Sequence, residues 1–147
     1  MRVQVLERRV YRGPNLYGYG PLIRLTLDLE ELEDYPTGRL PGFSDQLLAL
    51  IPTLQEHGCS YEVPGGFVRR LTEDEGTWIG HVAEHVAIEL QNLAGTPVTY
   101  GKARGTGSPG VYYVVYSYQE EQVGLAAAEL ALRLVRALLP PELPSAL

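Results

Sequence analysis

Thr77-Trp-Ile-Gly-His81-Val-Ala-Glu84-His85-Val-Ala-Ile-Glu89-Leu-Gln-Asn92-Leu-Ala-Gly95 reads as one helix. Thr77 is placed as its N-cap, where a hydroxyl can satisfy an orphan amide of the first turn. Gly95 supplies a left-handed C-terminal cap, and Pro97 keeps the helix from resuming. At about 100° per residue, Ile79, Ala83, Val86, Leu90 and Leu93 share an apolar face. His81, Glu84, His85, Glu89 and Asn92 share the opposite one. Solvated helix faces usually carry Lys, Glu and Arg, so two imidazoles and two carboxylates together require an explanation.

The order H-x-x-E-H over residues 81–85 is that of the inverted zincins. Two histidines one turn apart can clamp a zinc ion, and the glutamate between them can take a proton from an attacking water. Three fixed positions also arise by chance, and a solvated polar face would account for them. The motif alone leaves both readings open.

The chain has 147 residues, enough for one domain with a real core. No apolar run reaches membrane-spanning length, and the first residues lack the apolar stretch and cleavage site of a secretory signal. The single cysteine, Cys59, excludes an intrachain disulfide framework, so a cytoplasmic protein is expected. Cys59 could ligate a metal beside His57, although a buried or idle thiol is the simpler reading. The net charge of −6 argues against general nucleic-acid binding.

Residues 2–12 form the first expected strand, ending at the turn cluster Gly13-Pro14-Asn15. Residues 16–20 follow as a loop whose Tyr17 and Tyr19 can either meet a ligand or pack on the surface. In residues 21–29, Ile23, Leu25, Leu27 and Leu29 alternate with polar positions, predicting a half-buried strand paired antiparallel with the first. The acidic residues 30–36 read as a solvated connector. A helix is expected over 44–51 with Ser44 as N-cap and Asp45 favourable in its first turn. Pro52 divides it from a short helix over 52–57.

Phe67 to Leu71 is a short basic segment. Residues 98–104 and 111–118 read as two further strands, joined by a flexible basic stretch. That stretch, residues 101–110, is glycine-rich but is not a phosphate loop, because Ala103 follows Gly101-Lys102 where Ser or Thr is required. A last helix runs to about Leu139, with Glu120 and Glu121 in its first turn, suited to the helix dipole. Residues 140–147, rich in proline, read as a linker or tail after a domain spanning 1–139. The expected fold class is α+β, with helices packed on a small, mostly antiparallel sheet.

Several stretches together resemble the N-terminal domain of cyanophycin synthetase. They are Arg12-Gly-Pro-Asn15, Leu27-Asp-Leu-Glu-Glu-Leu32, Pro41-Gly-Phe43, Leu54-Gln-Glu-His-Gly-Cys-Ser60 and Gly65-Gly-Phe67. Gly80 to Gln91, Leu93-Ala-Gly95, Ser108-Pro-Gly-Val-Tyr112 and Glu121-Gln122 complete the set, in order, over about residues 12 to 124. The resemblance implies a domain that holds cyanophycin, a poly-aspartate with arginine on each side chain. In some members such a domain resembles a zinc metallopeptidase that cuts the polymer into primers. The ATP-dependent synthesis belongs to downstream ATP-grasp and Mur-ligase-like domains, implied partners of which the chain contains neither. The chain alone is therefore not expected to act as an ATP-dependent ligase.

Under this resemblance His81 and His85 are metal ligands and Glu84 the general base. A catalytic zinc commonly takes three protein ligands. Glu121 is the expected third, by analogy with the later-helix glutamate of inverted zincins, with Glu120 or Glu89 as substitutes or supporting partners. His81, near the positive end of the helix, is expected to stay neutral. Polymer carboxylates can meet Arg69, Arg70, Lys102 and Arg104. Its guanidinium groups can meet Glu33, Asp34 or Glu62 and stack on Tyr112, Tyr113 or Tyr116. A non-catalytic polymer-binding module remains the alternative, and homo-oligomerisation stays open.

Overall fold

The computed structural model describes residues 2–59 and 64–145. Four strands form one antiparallel sheet, with β1 (Gln4–Tyr11), β2 (Leu22–Asp28), β4 (Val111–Ser117) and β3 (Gly101–Gly105) in that spatial order. Among the described residues four α-helices accompany it: α1 (Phe43–Leu50), α2 (Gly66–Thr72), α3 (Ile79–Leu93) and α4 (Glu121–Leu138). The α+β class and the antiparallel pairing of the first two strands are as the alternation indicated. No helix among the described residues is long and apolar enough to cross a membrane.

Period-two alternation gives the sheet two distinct sides. Ile23, Leu25, Leu27, Val114 and Tyr116 are buried on one side. Cross-strand partners share a face, so Arg24, Thr26, Tyr113, Lys102 and Arg104 belong to the other. The β1–β2 register slips between Val5 and Glu7, a bulge that leaves Leu6 largely exposed. α3 packs against β3, β4 and α4. Gln91, fully buried in α3, donates to the Ser117 carbonyl at 3.0 Å and ties the helix to the end of β4.

The helix ends follow the sequence in part. Gly95 adopts φ +90 after α3, and the Thr96 and Gly95 amides bond back to the Gln91 and Asn92 carbonyls in a Schellman arrangement. At the other end Trp78, not Thr77, is the N-cap, and it makes no side-chain capping bond. Ser44 is likewise not the N-cap of α1. The helix begins one residue earlier, after Gly42 at φ +75, and Phe43 enters the core. Residues 30–34, expected as a solvated connector, form a 3-10 turn that buries Leu32. Pro52 opens another 3-10 turn over Pro52–Glu56. The basic segment after residue 66 is α2, and it buries Phe67 and Leu71. The proline-rich end lies back on the body: Arg2 donates to the carbonyls of Pro140 and Pro141, and the Tyr35 hydroxyl donates to that of Pro144.

The turn leading into α3 is tightly built. The Thr37 hydroxyl donates to the Leu71 carbonyl and accepts from the Thr77 amide, both at 3.0 Å. Gly76, at φ +88, passes so close that an added Cβ would sit 2.0 Å from the Thr37 hydroxyl. Gly76→Ala therefore combines a left-handed backbone with a collision against a buried hydrogen-bonded group. It is expected to cost about 2–4 kcal/mol in denaturant unfolding.

Candidate metal centre

The face of α3 that the sequence marks as polar is buried. Glu84, His85 and Glu89 are each only 5% exposed. Phe67, from α2, covers the histidines, stacking on the His85 ring at 4.1 Å between centroids and meeting the His81 ring edge-on at 5.4 Å. The segment after the Pro52–Glu56 turn brings in His57 and Cys59. Burying so many polar groups is costly unless each finds a partner, and the partners here are specific.

His81 Nδ1 lies 2.9 Å from the Thr77 hydroxyl, and its Nε2 lies 3.4 Å from Cys59 Sγ. An imidazole protonated on Nδ1 satisfies both, donating to the hydroxyl and accepting from the thiol. Thr77 thus serves His81 rather than the helix end, which is why it fails as a cap. One donor atom each from Cys59, His81 and His85 lie within 4.8 Å of one another, a spacing that one metal ion could bridge. Glu84 Oε2 is 3.7 Å from His85 Nε2, at the edge of this group.

Burial dominates the electrostatics. It pushes the Glu84 carboxyl up to about 8. Burial, aided by the charge of Arg70, pushes His81 down to about 4. Burial together with His81, His57 and Arg70 pushes His85 down to about 2. Both imidazoles are therefore neutral near pH 7, as ligation requires. For His81 the causes are desolvation and Arg70, not the helix end named from the sequence.

A cleft of about 420 Å³ opens onto the group. Glu84 lines it with Arg70, Arg104, Tyr112 and Trp78. Its far wall is β3, where Gly101 permits a close approach: a Cβ there would come within 2.7 Å of Glu84 Oε2. Tyr112 is raised in pKa by burial and by the nearby carboxylates of Glu33 and Asp34.

The other expected site residues are elsewhere. Glu121 does not join the histidines: its carboxylate forms a two-pronged pair with Arg12 at 2.7 and 2.9 Å, at the start of α4. That pair holds Glu121 below its ordinary carboxylate range. Glu120 is the N-cap of α4. Glu89 is on α3 beside the group, accepting from His57 and Asn92. Arg69 pairs with Glu73 one turn on. Lys102 lines a smaller hollow of about 160 Å³, shared with Arg104, Tyr17 and Tyr113, where the Arg24 guanidinium also lies 4.7 Å from the Tyr113 ring centre. Tyr116 cannot stack on a ligand, because it is wholly buried and donates to the Gly124 carbonyl. Tyr19 is 91% exposed. Glu62 lies outside the described residues.

Sequence reasoning underweighted Cys59 and its neighbour His57, cast Thr77 only as a helix cap and gave no role to Phe67. Cys59 lies 22 residues before His81 on another segment, so helical periodicity carries no signal for it. The signal available was the pair His57-Gly58-Cys59 itself, two metal-ligand types two residues apart.

Comparison with known proteins gives a consistent relationship. The family described as the cyanophycin synthase-like N-terminal domain matches residues 24–140. The chain is 41% identical over 139 residues to a cyanophycin synthetase of Geminocystis herdmanii, an alignment covering 93% of this chain. It is 44% identical over 138 residues to the cyanophycin synthetases of Crocosphaera subtropica and Synechocystis sp., covering 92% of this chain. In each case the aligned region is 16% of the relative's own length.

Proposed function

The chain belongs to the family of cyanophycin synthase-like N-terminal domains, and from that premise we propose that it binds an aspartate–arginine polymer of the cyanophycin type and hydrolyses it at a zinc centre. One observation carries this reading: Cys59, His81 and His85 converge beside a buried glutamate at the floor of a cleft. The donor set fits the metal, since thiolate and imidazole together suit zinc, and three protein ligands leave a fourth position open. Cys59 takes the place assigned from the sequence to Glu121.

A divalent ion held by Cys59, His81 and His85 would supply Lewis acidity for a scissile carbonyl and for water. The remaining work falls to the chain's own residues. Glu84, kept neutral by burial alone, ionises when positive charge stands beside it. It then takes the proton of the attacking water and returns it to the departing amine. Arg70 and Arg104 offer cations to the polymer's carboxylates. Tyr112 and Trp78 offer ring faces to its guanidinium groups, with Glu33 and Asp34 close by. Lys102, across Arg104, would serve a polymer longer than the cleft, and Arg69 would add only peripheral charge. Primer production for polymer synthesis in the cytoplasm is the role this chemistry would fill, alongside ATP-grasp and Mur-ligase-like partners.

Metal analysis of the purified protein, followed by a cleavage assay on cyanophycin, tests the proposal. Near-stoichiometric zinc is expected, with new chain ends that disappear on chelation and return with added zinc. Polymer binding without zinc or cleavage would leave only a binding module. Cleavage of casein-like protein but not of polymer would point to an ordinary peptidase.

A further inference from the structure

Behind His85, on the side away from the cleft, the half-buried His57 and the buried Glu89 form a line. His57 Nδ1 lies 3.0 Å from His85 Nδ1, and His57 Nε2 lies 2.7 Å from Glu89 Oε1. The Glu89 carboxylate is anchored in turn by the Asn92 side-chain amide at 3.1 Å. Asn92 is itself fixed, because its oxygen accepts from the Val98 amide at 2.8 Å. We propose that His57 is a positioning residue: backed by Glu89, it sets the His85 tautomer that turns a bare Nε2 toward the cleft. The proposal rests on reading the Cys59–His81–His85 group as a metal centre.

Proton placement follows from the end of the line. Burial raises the Glu89 carboxyl, but hydrogen bonds from Thr53, His57 and Asn92 more than offset this and hold it below its ordinary value. Glu89 is thus ionised near neutrality and can only accept. A bare His57 Nε2 at 2.7 Å from it would set two acceptors against each other, so that nitrogen carries the proton. The 3.0 Å contact between the two Nδ1 atoms holds a single proton, and ligation through His85 Nε2 places it on His85, so that His57 Nδ1 accepts it. The usual arrangement orients a ligating histidine directly with a carboxylate or carbonyl. Here an imidazole is interposed, and Glu89 acts one residue further away. Phe67, stacked on His85, keeps the ring from turning out of this line.

The test uses the full chain with His57→Phe and with the milder Glu89→Gln. Ring nitrogen-15 shifts in the metal-free protein read the His85 tautomer, and competition with a chromogenic chelator reads zinc affinity. The wild type is expected to show His85 protonated on Nδ1. In His57→Phe the proton should redistribute toward Nε2, and zinc affinity should fall about 10–100-fold, with a smaller loss in Glu89→Gln. An unchanged His85 tautomer, with zinc affinity within about threefold of wild type in both variants, would overturn the proposal. Failure of the wild type to take up zinc would sink the metal-centre reading instead. The nitrogen shifts of the metal-free protein would still decide the relay.

Discussion

Glu84→Gln is expected to lower polymer cleavage by about 10²–10⁴-fold, the range for losing a general base, with zinc content unchanged. The substitution keeps the size of a side chain wedged against Gly101 and removes only its capacity to take a proton. Glu84 is not one of the three converging donors, so zinc measured in the same sample should match wild type. Loss of zinc along with activity would make Glu84 a ligand and undo its role as base. Undiminished cleavage would remove it from the reaction altogether.

The second large effect concerns stability against pH once metal is stripped away. Glu84 has a folded pKa of about 8 against 4.5 for the free group, so the folded state holds its proton longer than the unfolded state. Its stabilising contribution is complete below about pH 4.5 and lost as pH rises toward 8. His81 and His85 act the other way. Their folded pKa values, about 4 and about 2, lie below 6.5, so the unfolded chain takes up protons first as pH falls. Their contribution is complete above 6.5 and is lost on acidification. Between 4.5 and 6.5 the two histidines outweigh the one glutamate, and above 6.5 the glutamate outweighs the last of the histidine titration. Chelated protein should therefore be most stable near pH 6.5, losing about 1 kcal/mol by pH 8 and about 2 kcal/mol by pH 4.5. Urea unfolding at these three values measures it. Glu84→Gln should flatten the alkaline limb and steepen the acid one, because the glutamate no longer offsets the histidines. A monotonic curve through pH 6.5 in the chelated wild type would contradict the burial assigned to these groups.

Local signals in the chain translated well. The α3 period, the Gly95 stop, the alternation of β2 and the aromatic run of β4 are each properties of neighbouring residues, and each appears where expected. What surrounds an element is not local. Periodicity placed His81, Glu84, His85 and Glu89 on one face, but it carried no information about Phe67 and Cys59 folding over that face, so a buried site read as a choice between ligation and solvation. The same reason explains why Glu121, the expected third donor, does not join the histidines. Glu121 has a suitable side chain at a suitable helix start, and only the fold reveals that Arg12 is opposite it. Thr77 shows the limit at finer scale. Its hydroxyl had two acceptable uses, capping α3 or holding His81, and the choice was made by a ring nitrogen 2.9 Å away.

Trp78 is the chain's single tryptophan, 45% exposed, and it stands at the start of α3 on the rim of the cleft. Its indole emission consequently comes from one place, next to the histidines and the carboxylate. The protein thus carries a built-in optical reporter, through which the filling of the cleft by any added ligand can be read in unlabelled material in real time.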